Sequence, residues 1–308
     1  MNNSFSYCGI DVSKDKLDTY INEKLNTFDN TIKGIEKLIK KIGIAHFIME
    51  STGGYERLAA WTLMEMGFTV SIVNPQRVRN YAKGLGRLAK TDCIDAQTIM
   101  NYAQTASPRE TRLPTKEFRH FCALMDRRHQ LTKMKVAERN RLGSSYDNSV
   151  SQSIMDMIYL FDNQIKQIEK EVKIIIKEDE QMNEKATKMQ KITGIGPITS
   201  ATILAYIPEI GTLKSKEISA LTGLAPFNRD SGKSKGYRSI SGGREKVRSA
   251  LYMPSIAATT HNQYIKEFYW RLVDKNHRKK IVARVAVMRK LIIATNAIIK
   301  NPDFILAS

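Results

Sequence analysis

Cysteine is scarce in this chain of 308 residues. Its three cysteines, Cys8, Cys93 and Cys122, show no Cys-x-x-Cys spacing. That excludes a disulfide framework and a zinc site, and it points to a reducing compartment. The five histidines (His46, His120, His129, His261 and His277) do not cluster with the cysteines. Long apolar runs are also missing, and none reaches the ~18 residues a membrane span needs. The N-terminal residues lack the basic-then-apolar order of a secretory signal. A soluble, cytoplasmic protein is expected. No aromatic RNA-recognition signature is visible. Acidic residues are outnumbered, 31 Asp and Glu against 49 Lys and Arg, which leaves a formal charge of +18. Such an excess implies a polyanionic partner, because Lys and Arg release condensed counterions when they meet nucleic acid.

The charge is unevenly spread. Residues 1–110 carry 14 basic and 12 acidic side chains, and residues 190–308 carry 20 against 7. The last third is therefore the electrostatic footprint. The near-neutral first third holds the acids that matter most: Asp11 inside the apolar segment Tyr7-Cys8-Gly9-Ile10-Asp11-Val12, Glu50 ending Phe47-Ile48-Met49-Glu50, and Asp92 with Asp95 one helical turn apart. Carboxylates at strand ends in a basic protein call for a counter-charge, and a divalent metal is the usual one.

Strand and helix patterns alternate over the first hundred residues. Residues 6–12, 17–21 and 25–28 read as strands. Residues 31–42 switch to helical spacing through Ile32, Ile35, Leu38, Ile39 and Ile42. Residues 46–50 return to strand. Residues 55–66 read as a helix with Leu58, Ala59, Leu63 and Met66 inward, and residues 68–73 as the next strand. Three antiparallel strands followed by alternating helix and strand is the order of a ribonuclease-H-like sheet.

Residues 113–189 lose the strand pattern. Ile154, Phe161, Ile168 and Ile175 fall seven apart, as do Ile158, Ile165 and Val172. This heptad stripe fits an oligomerising coiled coil, or a hairpin with the earlier helix, residues 118–142, turning at Gly143-Ser144-Ser145. Residues 190–308 read as a mainly helical unit. It opens on Ile192-Thr193-Gly194-Ile195-Gly196-Pro197, a helix-hairpin-helix-like turn. The backbone N–H groups at Gly194 and Gly196 suit a phosphate. The expected organisation is thus α/β plus α in three parts: 1–112, 113–189 and 190–308.

Four carboxylates fit hard divalent cations, which favour oxygen ligands. Two such ions about 4 Å apart can activate a nucleophile and stabilise a leaving oxygen at a phosphodiester. Asp92 and Asp95, at i and i+3, can point to one place, with Thr91 as the helix N-cap.

The ordered motifs resemble a family. Gly9-Ile10-Asp11-Val12-Ser13-Lys14, Met49-Glu50-Ser51-Thr52-Gly53-Gly54-Tyr55 and Lys90-Thr91-Asp92-Cys93-Ile94-Asp95-Ala96 look like signature segments of the DEDD transposases of insertion sequences. That group includes the Piv-type DNA invertases and the bridge-RNA-guided recombinases. Ile192 to Pro197, Leu221-Thr222-Gly223-Leu224-Ala225-Pro226, Asp230-Ser231-Gly232-Lys233 and Arg238-Ser239-Ile240-Ser241-Gly242-Gly243-Arg244 match its second half. The resemblance implies a RuvC-like first domain, a coiled-coil connector and a helical transposase domain. It implies Asp11, Glu50, Asp92 and Asp95 as ligands of Mg²⁺, in a pair of ions, and a serine that becomes covalently joined to DNA. The matching serine is Ser231, with Ser234, Ser239 and Ser241 as rivals in the same basic loop. Many relatives carry Ser-Ser-Gly-Gly where this chain has Asp230-Ser231-Gly232-Lys233. Arg229, Lys233, Lys235, Arg238, Arg244, Lys246 and Arg248 stand ready for phosphates. The implied partners are DNA, a guide RNA and further copies of the chain, as a dimer or tetramer. The competing readings are a RuvC-like nuclease that uses water, and a DNA-binding scaffold without catalysis.

Overall fold

The structure is a computed structural model. It describes residues 6–86, 92–227, 239–301, 303, 304 and 306, with the backbone alone at 92–94. Its contacts divide the chain into two compact units, Met1–Pro114 and Thr115–Ser308.

The first unit is built on a five-stranded sheet. Strands β1 (Tyr7–Val12), β2 (Lys16–Ile21) and β3 (Lys24–Asp29) form an antiparallel meander. Asn22 and Glu23 both take positive φ, as the tight turn between β2 and β3 requires. Helix α1 (Ile32–Ile42) follows, its first turn capped by the Thr31 hydroxyl, which accepts from Gly34 N. Strand β4 (His46–Glu50) then pairs parallel to β1. After helix α2 (Glu56–Glu65), strand β5 (Val70–Val73) pairs parallel to β4. The sheet order is β3-β2-β1-β4-β5. Helices α3 (Pro75–Gly84) and α4 (Asp92–Ala106) complete the unit. Beyond α4 the chain returns to β5: Thr111 N donates to Val70 O, and Ile72 N donates to the Thr111 hydroxyl. Those bonds satisfy an otherwise open sheet edge.

Alternation along the strands makes two cores. Cys8, Ile10, Val12, Phe47 and Met49 bury on the side of α1 and α2. Burial pushes the Cys8 thiol far above its ordinary range, so it is inert. Ile48 buries on the other side with Ile99, Tyr102 and Ala103 of α4. One helix face differs from the sequence expectation. Leu58 and Met66 of the α2 region are exposed, and Ala59, Ala60 and Leu63 are buried. The small alanines let the helix lie close to its neighbours, which rotates the larger Leu58 and Met66 outward.

The described residues of the second unit are helical apart from one two-stranded ladder and the connecting turns. Helices α5 (Lys116–Leu142) and α6 (Asn148–Glu178) pack as an antiparallel hairpin. His120 pairs with Glu171, Arg128 with Glu169, and Lys135 with Asp162, which fixes the direction. The heptad stripe of α6 is buried against α5 of the same chain, Phe161 and Ile165 against Leu131. Val172 and Ile176 join Phe121 and Met125 in the large core. That core is closed by α7 (Glu180–Gln190), α8 (Pro197–Tyr206), α9 (Ser215–Leu221), α10 (Glu245–Ala250), α11 (Tyr252–His261), α12 (Gln263–Trp270) and α13 (Lys280–Lys300). A π-helical turn, Arg271–Lys275, follows α12. The ladder pairs β6 (Pro226–Phe227) with β7 (Ser239–Ile240).

Candidate carboxylate site and nucleic-acid surface

Asp11 and Glu50 face the same side of the sheet. Ile10 and Val12 enter the core beneath α1 and α2, so Gly9 and Asp11 turn to the α4 side. Ile48 packs on α4, so Glu50, two residues on, shares that face. The parallel register pairs Ile10 with Met49. Asp11 and Glu50 are the next residues along these neighbouring strands.

Helix α4 crosses the same face at very short range. A Cβ at Gly9 would stand 2.2 Å from Ala96 O and 2.6 Å from Met100 N. Only glycine permits that approach. Asp95 is the residue before Ala96 on that helix. Helix α4 begins at Asp92, so Asp92 and Asp95 both lie in its first turn, where the helix dipole favours anions. The side chain of Asp92 and the proposed cap Thr91 lie outside the described residues. Asp11, Glu50 and Asp95 are all half-buried. Among the described residues no three potential ligands close around one point. The donors aligned on this face are carboxylate oxygens, the chemistry a hard divalent ion takes.

Two side chains that the sequence reading missed hold the loops at this end. Asn30 Nδ2 donates to Ser13 O at 3.0 Å and to Tyr55 O at 3.1 Å, which ties the turn after β1 to the loop after β4. Glu56 is 6% exposed. Its carboxylate accepts from Thr52 N at 3.1 Å, the Thr52 hydroxyl at 3.0 Å and Gly54 N at 2.8 Å. The loop that leaves Glu50 is thereby folded around a buried anion.

In the second unit, Gly194 has φ +93°, and a Cβ there would stand 2.4 Å from Pro254 O. Its packing against α11 explains the residue. Gly196 is the N-cap of α8, and a Cβ there would meet open space. The motifs around Leu221 and Arg244 meet directly: Arg244 N donates to Leu221 O at 2.8 Å. Arg244 pairs with Glu209 at 2.7 Å, and Lys246 pairs with Asp126 and lies 4.6 Å from the Tyr206 ring centre. Arg248 donates to Gly242 O at 2.5 Å. These three cations hold the chain's own segments together, a role not evident from the sequence. Ser231, its rival Ser234, and Arg229, Lys233, Lys235 and Arg238 lie outside the described residues. Ser239 and Ser241 flank Ile240 at β7.

Comparison with known proteins identifies the class first. Residues 8–148 match a DEDD family model described as a transposase. Residues 186–270 match the transposase IS116/IS110/IS902 family. The chain belongs to that family and is a DNA recombinase of the transposase kind. It is 31% identical to the pilin gene-inverting protein of Moraxella bovis and 30% identical to that of Moraxella lacunata, over 97% of each chain in both cases. It is 26% identical to the transposase for insertion sequence element IS1111A of Coxiella burnetii (strain RSA 493 / Nine Mile phase I), over 75% of this chain and 71% of that one. Membership implies a DNA substrate and dependence on a divalent metal. No described helix is long and apolar enough to cross a membrane.

Proposed function

We propose that the chain cuts and rejoins DNA by transesterification through a covalent phosphoserine link. The observation that supports this reading is the shared face of Asp11 and Glu50 on adjacent strands, with α4 pressed onto that face at Gly9. The strand order β3-β2-β1-β4-β5, a meander followed by two parallel strands, supports a RuvC-like, ribonuclease-H-like domain. In this reading residues 1–112 form that domain, 113–189 the helical connector and 190–308 the transposase domain.

Asp11, Glu50, Asp92 and Asp95 would hold two Mg²⁺ ions. Such ions, when bound, acidify a hydroxyl and offset charge on a leaving oxygen. Ser231 Oγ loses its proton and bonds to the phosphorus, while one P–O bond of the DNA backbone breaks. The released DNA hydroxyl takes up a proton. A hydroxyl from the second DNA strand then attacks the phosphoserine, forms the new phosphodiester and returns Ser231 to its hydroxyl form. Gly194, Gly196 and the basic side chains Arg229, Lys233, Lys235, Arg238, Arg244, Lys246 and Arg248 would hold phosphates. The pilin gene-inverting and insertion-element relatives favour inversion or transposition as the biological outcome.

A guide RNA and a dimer or tetramer belong to the same proposal, by resemblance to the bridge-RNA-guided recombinases and through the hairpin. The test is trapping on labelled DNA with Mg²⁺. A covalent protein–DNA adduct that is lost in Ser231→Ala and in Asp11→Asn supports the mechanism. Free 5′-phosphate ends unaffected by Ser231→Ala would instead establish a water-using nuclease. A discrete RNA that co-purifies with the active protein supports the guide.

A further inference from the structure

Aromatic residues absent as a sequence motif come together on the surface of the second unit. Tyr264 and Phe268 of α12 and Arg271 just past its end stand at i, i+4 and i+7, on one stripe. The π-helical turn Arg271–Lys275 then widens the helix. Such turns recur at functional sites. Tyr264, Phe268, Trp270, Arg271 and Lys275 line an open groove of about 430 Å³, together with Glu267 and Asp274. Trp270 is 42% exposed and Tyr264 39%.

The groove is held in a field of cations. Lys290 Nζ donates to the Tyr264 hydroxyl at 2.8 Å and lies 4.1 Å and 4.3 Å from the Tyr264 and Phe268 ring centres. The Arg271 guanidinium lies 5.6 Å from the Phe268 ring centre. Residues 264–290 contain nine Lys and Arg against Glu267 and Asp274 alone. Both acids line the groove, and Glu267 accepts from Gln263 Nε2 at 2.8 Å.

We propose that this groove binds unpaired DNA, with a base stacked on Trp270 and the flanking phosphates held by Arg271 and Lys275. The cations over the rings, Lys290 and Arg271, and the net positive stretch 264–290 suit a polyanion. The exposed ring decides the form of the nucleic acid. A paired base hides its π-face in the duplex, and an unpaired one offers it to an aromatic side chain. DNA follows from the family's substrate. The inference rests on that substrate and not on the carboxylates or Ser231.

The test uses the full chain in EDTA, so no strand chemistry enters. Trp61→Phe leaves Trp270 as the one fluorescent indole. A 15-nucleotide oligo(dT) is expected to quench it and bind, whereas an abasic strand of equal charge and a 15-base-pair duplex leave the emission unchanged. Trp270→Ala is expected to weaken oligo(dT) binding by about 5- to 100-fold, with Trp270→Tyr restoring most of it. Equal loss of oligo(dT) and duplex binding in Trp270→Ala, or equal quenching by the abasic strand, overturns the proposal. So does a failure of oligo(dT) to bind. Binding of oligo(rU) more than tenfold tighter than oligo(dT) would assign the groove to RNA and overturn the choice of DNA.

Discussion

Gly9 and Ala96 meet backbone to backbone: a Cβ on Gly9 would lie 2.2 Å from the Ala96 carbonyl oxygen. One atom of bulk on β1 therefore has no place to go except by pushing α4 away. That helix carries Asp92 and Asp95. Gly9→Ala is expected to cost about 1–3 kcal/mol, as overpacking does in a close-packed interior. Strand transfer is expected to fall further than stability alone explains, because Asp95 retreats from Asp11. Thermal unfolding beside metal-dependent adduct formation checks this. A variant with wild-type Tm and wild-type activity would mean that the helix contact does not position the acids.

Glu56 sits one step behind the acids. Three donors converge on its carboxylate, and Asn30 joins the same loop to the turn after β1. Glu56→Ala strands the Thr52 and Gly54 donors in a part-buried loop, at a cost of about 1–3 kcal/mol for the unsatisfied groups. The expected kinetic signature is a raised Mg²⁺ requirement with unchanged DNA affinity. Glu56→Gln, which keeps two acceptor lone pairs, is expected to recover part of the loss. An unchanged Mg²⁺ dependence in Glu56→Ala would show that the loop acts on stability alone.

Much of this arrangement was legible in the sequence, and the exceptions have physical causes. The short apolar segments around Ile10 and Ile48 revealed the strands, and the switch to helical spacing at residue 31 marked the end of the meander. The same segments put Asp11 and Glu50 near strand ends. The phase of α2 was misread at Leu58 and Met66 because helical spacing permits several stripes, and only packing against α1, β4 and β5 selects one. Asn30 and Glu56 were missed because their hydrogen bonds are set by loop geometry. The intramolecular partners of Arg244 and Lys246, Glu209 and Asp126, come from distant segments, so spacing could not show them.

His46 makes the first unit sensitive to acid. The ring is buried, and desolvation holds its pKa below the ordinary histidine value, opposed by the charge of Glu110. The Ser71 hydroxyl donates to Arg109 O at 2.8 Å, so it accepts from His46 Nε2–H, also at 2.8 Å. The folded state thus favours the neutral ring. Its stabilising contribution is complete above the unfolded pKa of about 6.5 and is lost as pH falls toward the lower folded value. Melting curves are expected to shift down between pH 7 and pH 5. His46→Gln is expected to remove part of that shift, and an identical pH dependence in this variant would assign the acid sensitivity elsewhere.

The hairpin separates folding from assembly. Leu131 is fully buried against Phe161 and Ile165, so Leu131→Ala is expected to destabilise the hairpin by about 2–5 kcal/mol through the cavity it leaves. In the first part of α6, Val150, Met155, Tyr159 and Leu160 are exposed, Tyr159 to 70%. They lie off the stripe that α5 covers. If copies of the chain associate through this region, those side chains are the apolar surface available for it. Met155→Lys with Tyr159→Lys is expected to leave helicity and Tm near wild type while lowering the sedimentation mass. The pair of variants distinguishes the two uses of one helix: Leu131→Ala should reduce Tm first, and the double lysine variant should reduce mass first. A wild-type mass in the double variant would move assembly to another surface.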